Sequence, residues 1–323
     1  MPKLSPQEHR FATGCVEEFL AHGRNLSLSG FECVYRSHDF ADTRYLLRLR
    51  TGSGEYALKI DMTSPETGRL QKEYDLLTTL SAYFEDTQTV RVVRPVYISP
   101  SQTFFVTEYI DRPTAADIIH KSPDADQVAQ IYRRAGEWLH HLHAYRPLQK
   151  YGFRPKWMLD NIQAAAAHAP QEIQRESAAM LDVLTTEAWS FRGTLETQVF
   201  SHGDFHAQNL IVGRGHMIGL DFTEVRVKLA AYDIVDFLKS DVFRDAPPQE
   251  VDRSGILKTN KEMFFRRYAH PIHMDILDAC IRGRLILDWL ALWHLNHRCS
   301  PYEEDKRHRL GDRLRIAFQD RFD

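Results

Sequence analysis

The sequence predicts an α+β protein, with an antiparallel sheet in roughly the first 110 residues and a mainly helical remainder. Residues 31–38, 44–50 and 55–60 have the composition of strands, and the Thr-Gly-Ser-Gly segment 51–54 is typical of a hairpin turn. Short turns between successive strands favour antiparallel pairing. After residue 110, apolar side chains recur at helical spacing over most of the chain.

Composition excludes several function classes. The chain has 323 residues, 43% hydrophobic and 26% charged, which is ordinary for a globular protein of about two domains. Because the formal net charge is only -3, we expect neither nucleic acid nor a membrane surface as partner. No secretory signal or apolar span is evident, so a cytoplasmic location is expected. The sequence leaves the oligomeric state open.

The four cysteines lie far apart, at Cys15, Cys33, Cys280 and Cys299. None of them forms the two-residue spacing that is typical of a zinc site or a redox dithiol. We therefore expect reduced, mostly structural cysteines, which agrees with a reducing compartment.

The chemistry concentrates in residues 200–222, where Asp204, Asn209 and Asp221 follow one another around a short apolar hairpin. One carboxylate to accept a hydroxyl proton, with an amide oxygen and a second carboxylate to hold Mg²⁺, is a minimal set for phosphoryl transfer. Because a hairpin returns the chain to its starting end, we expect Asp221 to emerge near Asn209. The alternative is that these polar residues only cap turns.

This stretch resembles the aminoglycoside phosphotransferase and choline kinase family, the small-molecule relatives of protein kinases. The resemblance rests on His-Gly-Asp ending at Asp204, on Asn209, and on the hairpin ending in Asp221-Phe222. It implies a bilobal protein-kinase-like fold, with a nucleotide-binding lobe at residues 1–110 and a catalytic, acceptor-binding lobe at 111–323. It also implies that Asp204 is the catalytic residue and that Asn209 and Asp221 bind Mg²⁺.

The nucleotide end of the site is expected around Lys59, in a strand that resembles the nucleotide-lysine strand of this superfamily. Helical periodicity over residues 66–84 places Glu73 on the buried stripe, where a glutamate needs a partner, and Lys59 is the obvious one. In the alternative interpretation Lys59 lies on a solvated strand face and Glu73 at the edge of the stripe. Glu66 is a second possible partner, although the helix dipole explains its position better.

Other nucleotide contacts carry weaker signals. The loop at 37–43 contains no glycine, so its phosphate contacts would come from hydroxyls such as those of Ser37 and Thr43. By resemblance, residues 107–111 are the hinge between kinase lobes, where the carbonyl of Glu108 and the amide of Ile110 would pair with adenine. An ordinary edge strand that runs into a loop is the alternative.

The helical part carries three further candidates. The helix at 125–145 holds His140, His141 and His143, but a metal role lacks a third suitably spaced ligand. Asp233 is placed to cap the helix that follows it, and in the resembled family an aspartate here also braces the catalytic loop. In the helix at 281–297, an aromatic pair, Trp289 and Trp293, would suit a cationic acceptor beside Asp288, although core packing is the preferred interpretation.

The predicted function is transfer of the γ-phosphoryl group of ATP, with Mg²⁺, to a hydroxyl of a small molecule of the amino alcohol, aminoglycoside or sugar type. One alternative is a Ser/Thr protein kinase of the same fold, which protein labelling with ATP would reveal. Another is a nucleotide-binding regulator without activity, against which the complete set of Asp204, Asn209 and Asp221 argues. The choice of acceptor and of ATP or GTP is open.

Overall fold

The computed structural model describes residues 2–22, 27–295 and 300–319, and the chain divides into two compact units. The first unit comprises Met1–Arg112 and Ile211–Thr223, and the second comprises Pro113–Leu210 and Glu224–Asp323. In chain order the elements are α1 (Pro6–His22), β1 (Leu28–Arg36), β2 (Arg44–Thr51), β3 (Gly54–Asp61), α2 (Arg69–Tyr83), β4 (Val90–Val92), β5 (Pro95–Ile98), β6 (Phe104–Glu108), α3 (Ala115–Lys121), α4 (Ala125–His143), β7 (Gln149–Gly152), α5 (Lys156–Ala166), α6 (Gln171–Ser190), β8 (Leu195–Ser201), β9 (Leu210–Val212), β10 (Met217–Gly219), β11 (Arg226–Leu229), α7 (Ala230–Leu238), α8 (Lys258–Phe265), α9 (Met274–His294) and α10 (Pro301–Ala317).

The first unit is built on an antiparallel sheet of five strands among the described residues, in the order β1-β2-β3-β6-β5. Burial alternates along β2, where Tyr45, Leu47 and Leu49 face inward as the two-residue period of a strand requires. The buried face of α1, which includes Val16 and Phe19, packs into the same core. The predicted antiparallel sheet is therefore present, and α1 covers one of its faces.

The composition of residues 92–98 predicts one continuous strand, but the structure has two strands here, in two different sheets. β4 ends at Val92 and pairs in parallel with β10, whereas β5 begins at Pro95 and pairs with β6. Pro95 has no N–H to donate and restricts the residue before it, so a single ladder of hydrogen bonds cannot run through this point.

The hairpin predicted within residues 200–222 is present, because β9 and β10 are neighbours in a sheet and the Gly213 amide donates to the His216 carbonyl across 3.0 Å.

The second unit is mainly helical, but it also contains a sheet that the helical periodicity did not predict. β8 pairs antiparallel with both β7 and β11, and it ends at Ser201, directly before the predicted catalytic motif. β7 and β11 have four residues each, and most of their side chains are exposed or half-buried. Strands this short carry too little apolar alternation to be recognised from sequence.

Within the second unit α4 packs closely against α8. Gly136 lies on the buried face of α4, and a β-carbon added there would come within 2.2 Å of the Phe264 carbonyl oxygen. The two backbones therefore meet at a distance that only glycine allows.

No helix in the described part of the chain is long and apolar enough to cross a membrane.

Gly136→Ala should lower the free energy of unfolding by about 1–3 kcal/mol, because the added methyl group forces α4 and α8 apart. Gly14→Ala is the matched control, since Gly14 is an exposed residue inside α1 with open space around its α-carbon. The control should raise stability by up to about 1 kcal/mol, as alanine favours a helix interior. Urea unfolding of the three proteins measures both changes, and equal stability of the two variants would contradict the close contact.

Candidate active site

The segment after β8 has a backbone that tolerates only glycine at one position. Gly203 has φ +84°, and a β-carbon there would lie 1.9 Å from the carbonyl oxygen of Glu224. Both the left-handed conformation and the close approach exclude other residues. This glycine is the middle residue of the predicted His-Gly-Asp motif, so its place in the motif has a steric cause.

The predicted catalytic and metal residues of the second unit, Asp204 and Asn209, lie together. The Asn209 side-chain amide donates to the Asp204 carbonyl oxygen across 2.9 Å, and the Asn209 side chain is buried. The Asp204 carboxylate remains 48% exposed and so can meet a substrate. Asn209 thus fixes the turn that presents Asp204.

His206 was missed by the sequence reasoning. Its Nε2 atom lies 3.3 Å from Asp204 Oδ2 and 3.3 Å from the side-chain nitrogen of Asn209. The only local signal was its position two residues after Asp204, inside the motif.

Asp233 holds the backbone of the loop that follows β8, but it does not cap a helix. The capping prediction is wrong because α7 begins at Ala230, which places Asp233 inside the helix rather than before it. Its carboxylate accepts hydrogen bonds from the amides of His202, at 2.7 Å, and Gly203, at 3.0 Å. The bracing role that the family resemblance implied is therefore present in the geometry.

The buried Asp233 carboxylate has a third partner, Nε2 of His143, at 3.0 Å. Burial by itself raises the pKa of Asp233, but the hydrogen bonds from His143 and the Gly203 amide outweigh it and lower that pKa. Asp233 is consequently an ionised acceptor that holds two consecutive amides of the loop.

In the first unit, Lys59 bridges two carboxylates. Its ammonium lies 2.9 Å from both oxygens of Glu73 and 2.9 Å from Oδ1 of Asp221. Burial lowers the pKa of Lys59, but the charges of Asp221 and Glu73 outweigh that effect and raise it. The expected pairing of Lys59 with Glu73 is observed, and Glu66 is exposed.

Asp221 follows β10 with φ 61°, in the left-handed region that non-glycine residues seldom adopt. Such a conformation costs about 1–3 kcal/mol and persists only where surrounding contacts hold it. The ion pair with Lys59 is one of those contacts. The strained backbone marks Asp221 as a residue whose orientation matters.

The other predicted nucleotide contacts lie elsewhere in the first unit. The Thr43 hydroxyl lies 3.4 Å from that of Thr63, at the start of β2. The Glu108 carboxylate accepts from the amide of Arg94 and from the guanidinium of Arg91. The amide of Ile110 donates no backbone hydrogen bond within the described part of the chain. The predicted hinge requires such an amide, because its N–H must donate to the base.

The remaining candidates have structural partners. Both ring nitrogens of His143 are engaged in hydrogen bonds, and the described residues contain no group of three or more His, Cys, Asp or Glu suited to a metal ion.

Trp289 is buried, which agrees with the preferred interpretation of core packing. The guanidinium of Arg307 lies 4.1 Å from the Trp293 ring centre. Asp288 pairs with Arg284 at 3.0 Å. Cys299 and the end of the predicted helix at 281–297 fall outside the described residues.

The loop geometry and the lysine between two carboxylates are those of a phosphotransferase. The sequence pattern of the phosphotransferase enzyme family matches residues 33–259, and the chain belongs to that family. This membership confirms the predicted family and the predicted class of enzyme, a kinase with an alcohol group as acceptor. No curated protein sequence matches the chain.

Solved structures with the same fold cover almost the whole chain. A spectinomycin phosphotransferase in complex with ADP and spectinomycin is 15% identical over 94% of this chain and 97% of its own, with a TM-score of 0.60. An aminoglycoside 2'-phosphotransferase in complex with GDP is 13% identical over 95% and 99%, with a TM-score of 0.61. A choline/ethanolamine kinase family protein from Mesorhizobium loti is 14% identical over 96% and 96%, with a TM-score of 0.57. At these identities the likeness concerns the fold, and it confirms the predicted protein-kinase-like α+β class.

Asp233→Asn should lower the free energy of unfolding by about 3 kcal/mol, because an amide cannot accept all three hydrogen bonds and leaves a buried donor unpaired. Asp236→Asn is the matched control on the same helix. Asp236 is only partly buried and pairs with Lys239 and Arg284, so the control should cost about 1 kcal/mol or less. Thermal and urea unfolding compare the two, and similar losses would refute the bracing role of Asp233.

Proposed function

We propose that this chain transfers the γ-phosphoryl group of ATP to a hydroxyl of a small molecule, with residues 1–110 as the nucleotide lobe and 111–323 as the catalytic lobe. The observation that supports this most strongly is the Lys59 ammonium held between Glu73 and Asp221. A lysine fixed by a buried glutamate, beside an aspartate, is the arrangement that protein-kinase-like enzymes use to grip nucleotide phosphates. Family membership supports the same reaction.

Asp204 is the proposed catalytic residue. Its exposed carboxylate would accept a hydrogen bond from the acceptor hydroxyl, orient that oxygen toward the phosphorus and take its proton as the new bond forms. Asn209 holds the turn around it, and the amides bound to Asp233 keep the loop in place. Little covalent work falls to the protein, since positioning and charge neutralisation carry this kind of catalysis.

Asn209 and Asp221 are the proposed ligands of Mg²⁺. The donor set suits the ion, because Mg²⁺ prefers hard oxygen ligands. The Asn209 nitrogen is engaged by the Asp204 carbonyl, which leaves its Oδ1 atom without a hydrogen bond among the described residues. The first unit offers two carboxylates to one ammonium around Lys59, a net negative charge that attracts a cation. When bound, the ion would neutralise charge on the nucleotide phosphates.

Lys59, Glu73, Thr43, Glu108 and Ile110 are the proposed nucleotide contacts. Lys59 would bind phosphate oxygens while Glu73 keeps it in place, and the Thr43 hydroxyl would be the phosphate donor of the glycine-free loop. The carbonyl of Glu108 and the amide of Ile110 would pair with the base. These backbone contacts fit adenine or guanine, and the similar structures hold ADP in one case and GDP in another.

The proposed acceptor is a small molecule of the amino alcohol, aminoglycoside or sugar type. The spectinomycin complex and the choline/ethanolamine kinase family protein represent two of these classes among chains with this fold. We expect neither nucleic acid nor a membrane as partner, because the formal net charge is only -3. We retain the cytoplasm as the predicted location, which agrees with the free thiols of Cys15, Cys33 and Cys280. An ADP-release assay over a panel of such alcohols, with ATP and with GTP, identifies the substrate pair.

Asp204→Asn should lower turnover in that assay by about 10²- to 10⁴-fold, because an amide cannot accept the hydroxyl proton. ATP affinity should stay within about twofold, since nucleotide binding rests on other residues. Asp160→Asn, at an exposed position on α5, is the control and should leave both unchanged. If Asp204→Asn folds normally yet loses ATP binding and turnover equally, Asp204 is not the base.

Lys59→Met should weaken ATP binding by about tenfold or more, because one charged partner of the phosphates is lost. Glu73→Gln should have a smaller effect in the same direction, since the lysine keeps Asp221 as its only carboxylate partner. Lys72→Met, an exposed lysine on α2, serves as the control. Titration with a fluorescent ATP analogue measures all three, and equal affinities would argue against the nucleotide role of Lys59.

A further inference from the structure

We propose that Tyr268 is a positioning residue for phosphoryl transfer, which acts on the catalytic loop through His143 and Asp233. No motif marks Tyr268, and it follows α8, far along the chain from residues 200–222. The expected effect of Tyr268 on turnover rests on the proposed function. The chain of hydrogen bonds from Tyr268 to two backbone amides of the loop is observed in the structure and does not depend on that function.

The contacts form one continuous buried path. The Tyr268 hydroxyl lies 2.7 Å from Nδ1 of His143, and the opposite ring nitrogen, Nε2, lies 3.0 Å from Oδ2 of Asp233. That oxygen accepts from the His202 amide at 2.7 Å, while Oδ1 accepts from the Gly203 amide at 3.0 Å. Tyr268, His143 and Asp233 are all buried, so water cannot replace a lost partner easily.

The protonation of the path follows from its acceptors. Burial lowers the pKa of His143 more than the hydrogen bond to Asp233 raises it, so the imidazole is neutral and carries one N–H. Burial also raises the pKa of the Tyr268 phenol, which keeps its proton. Because the Asp233 carboxylate can only accept, the His143 proton lies on Nε2, and Nδ1 must accept from the Tyr268 hydroxyl.

Asp233 therefore fixes the tautomer of His143, and Tyr268 fixes the position of the ring by donating to Nδ1. Without the hydroxyl, Nδ1 is a buried acceptor that has lost its partner in the path, so the ring is no longer held on that side and its hydrogen bond from Nε2 to Asp233 weakens. Asp233 would then shift relative to the two amides that it holds. The amides directly precede Asp204, so the shift displaces the reacting carboxylate.

Tyr268→Phe tests this chain of contacts with little change in packing. The ring stacks on Phe264 at 5.8 Å and meets His143 and His270 edge-on, and a phenylalanine ring keeps all three contacts. Tyr132→Phe is the matched control. Tyr132 is a fully buried tyrosine on α4, the helix of His143, and its hydroxyl has no partner in the described part of the chain.

The first measurement is amide hydrogen exchange of the peptide that contains His202 and Gly203, which needs no substrate. Tyr268→Phe should speed its exchange by about fivefold or more, while peptides from the first unit keep the wild-type rate. Tyr132→Phe should leave the loop unchanged. In a His143→Gln background, Tyr268→Phe should add nothing, because the path is already broken. Faster exchange throughout the chain, or equal exchange in the two single variants, would overturn the proposal.

The second measurement is Mg²⁺-dependent ATP hydrolysis, with water as the probe acceptor. Tyr268→Phe should lower kcat by about tenfold with an unchanged KM for ATP, since only the placement of Asp204 is altered. A fall in stability alone would leave kcat per folded molecule intact and would contradict the positioning role. If the wild-type protein releases no ADP with water or with any alcohol of the panel, the proposed function fails, and the exchange experiment still decides whether Tyr268 braces the loop.

Discussion

The buried carboxylate of Asp233 is the interaction on which the candidate active site depends. A charge removed from water is costly unless hydrogen bonds replace its solvation, and here two backbone amides and one imidazole do so. Because both amides come from consecutive residues, their backbone has one orientation relative to α7. Gly203 makes this possible, since no other residue could adopt its conformation beside Glu224.

The first unit holds its candidate site residues by the same physical means. The Lys59 ammonium is held between a buried carboxylate, Glu73, and a partly exposed one, Asp221. The buried partner fixes the lysine on β3, whereas the Asp221 side chain remains 41% exposed. The left-handed backbone at Asp221 is sustained by such contacts, so orientation is obtained at the expense of local strain.

Much of the fold followed from local pattern. The two-residue and helical periodicities placed β1, β2, β3 and α2, and the inward position of Glu73 predicted its pairing with Lys59. The sheet of β7, β8 and β11 did not follow, because β7 and β11 have only four residues each and most of their side chains are exposed or half-buried. The start of α7 was misplaced for a related reason: aspartate is a good cap, and only the contacts of Asp233 show that it serves the loop instead.

The sequence by itself determined the family and the class of reaction, and it supplied the candidate site residues. Phosphoryl transfer needs specific residue types at fixed spacing, and that requirement is written locally within residues 200–222. Only the tertiary structure decided which side chains support them. Lys59 and Asp221 are 162 residues apart, His143 and Asp233 are 90 apart, and His143 and Tyr268 are 125 apart. Pairings over such distances leave no periodicity in the chain, because they arise only when separate elements pack together.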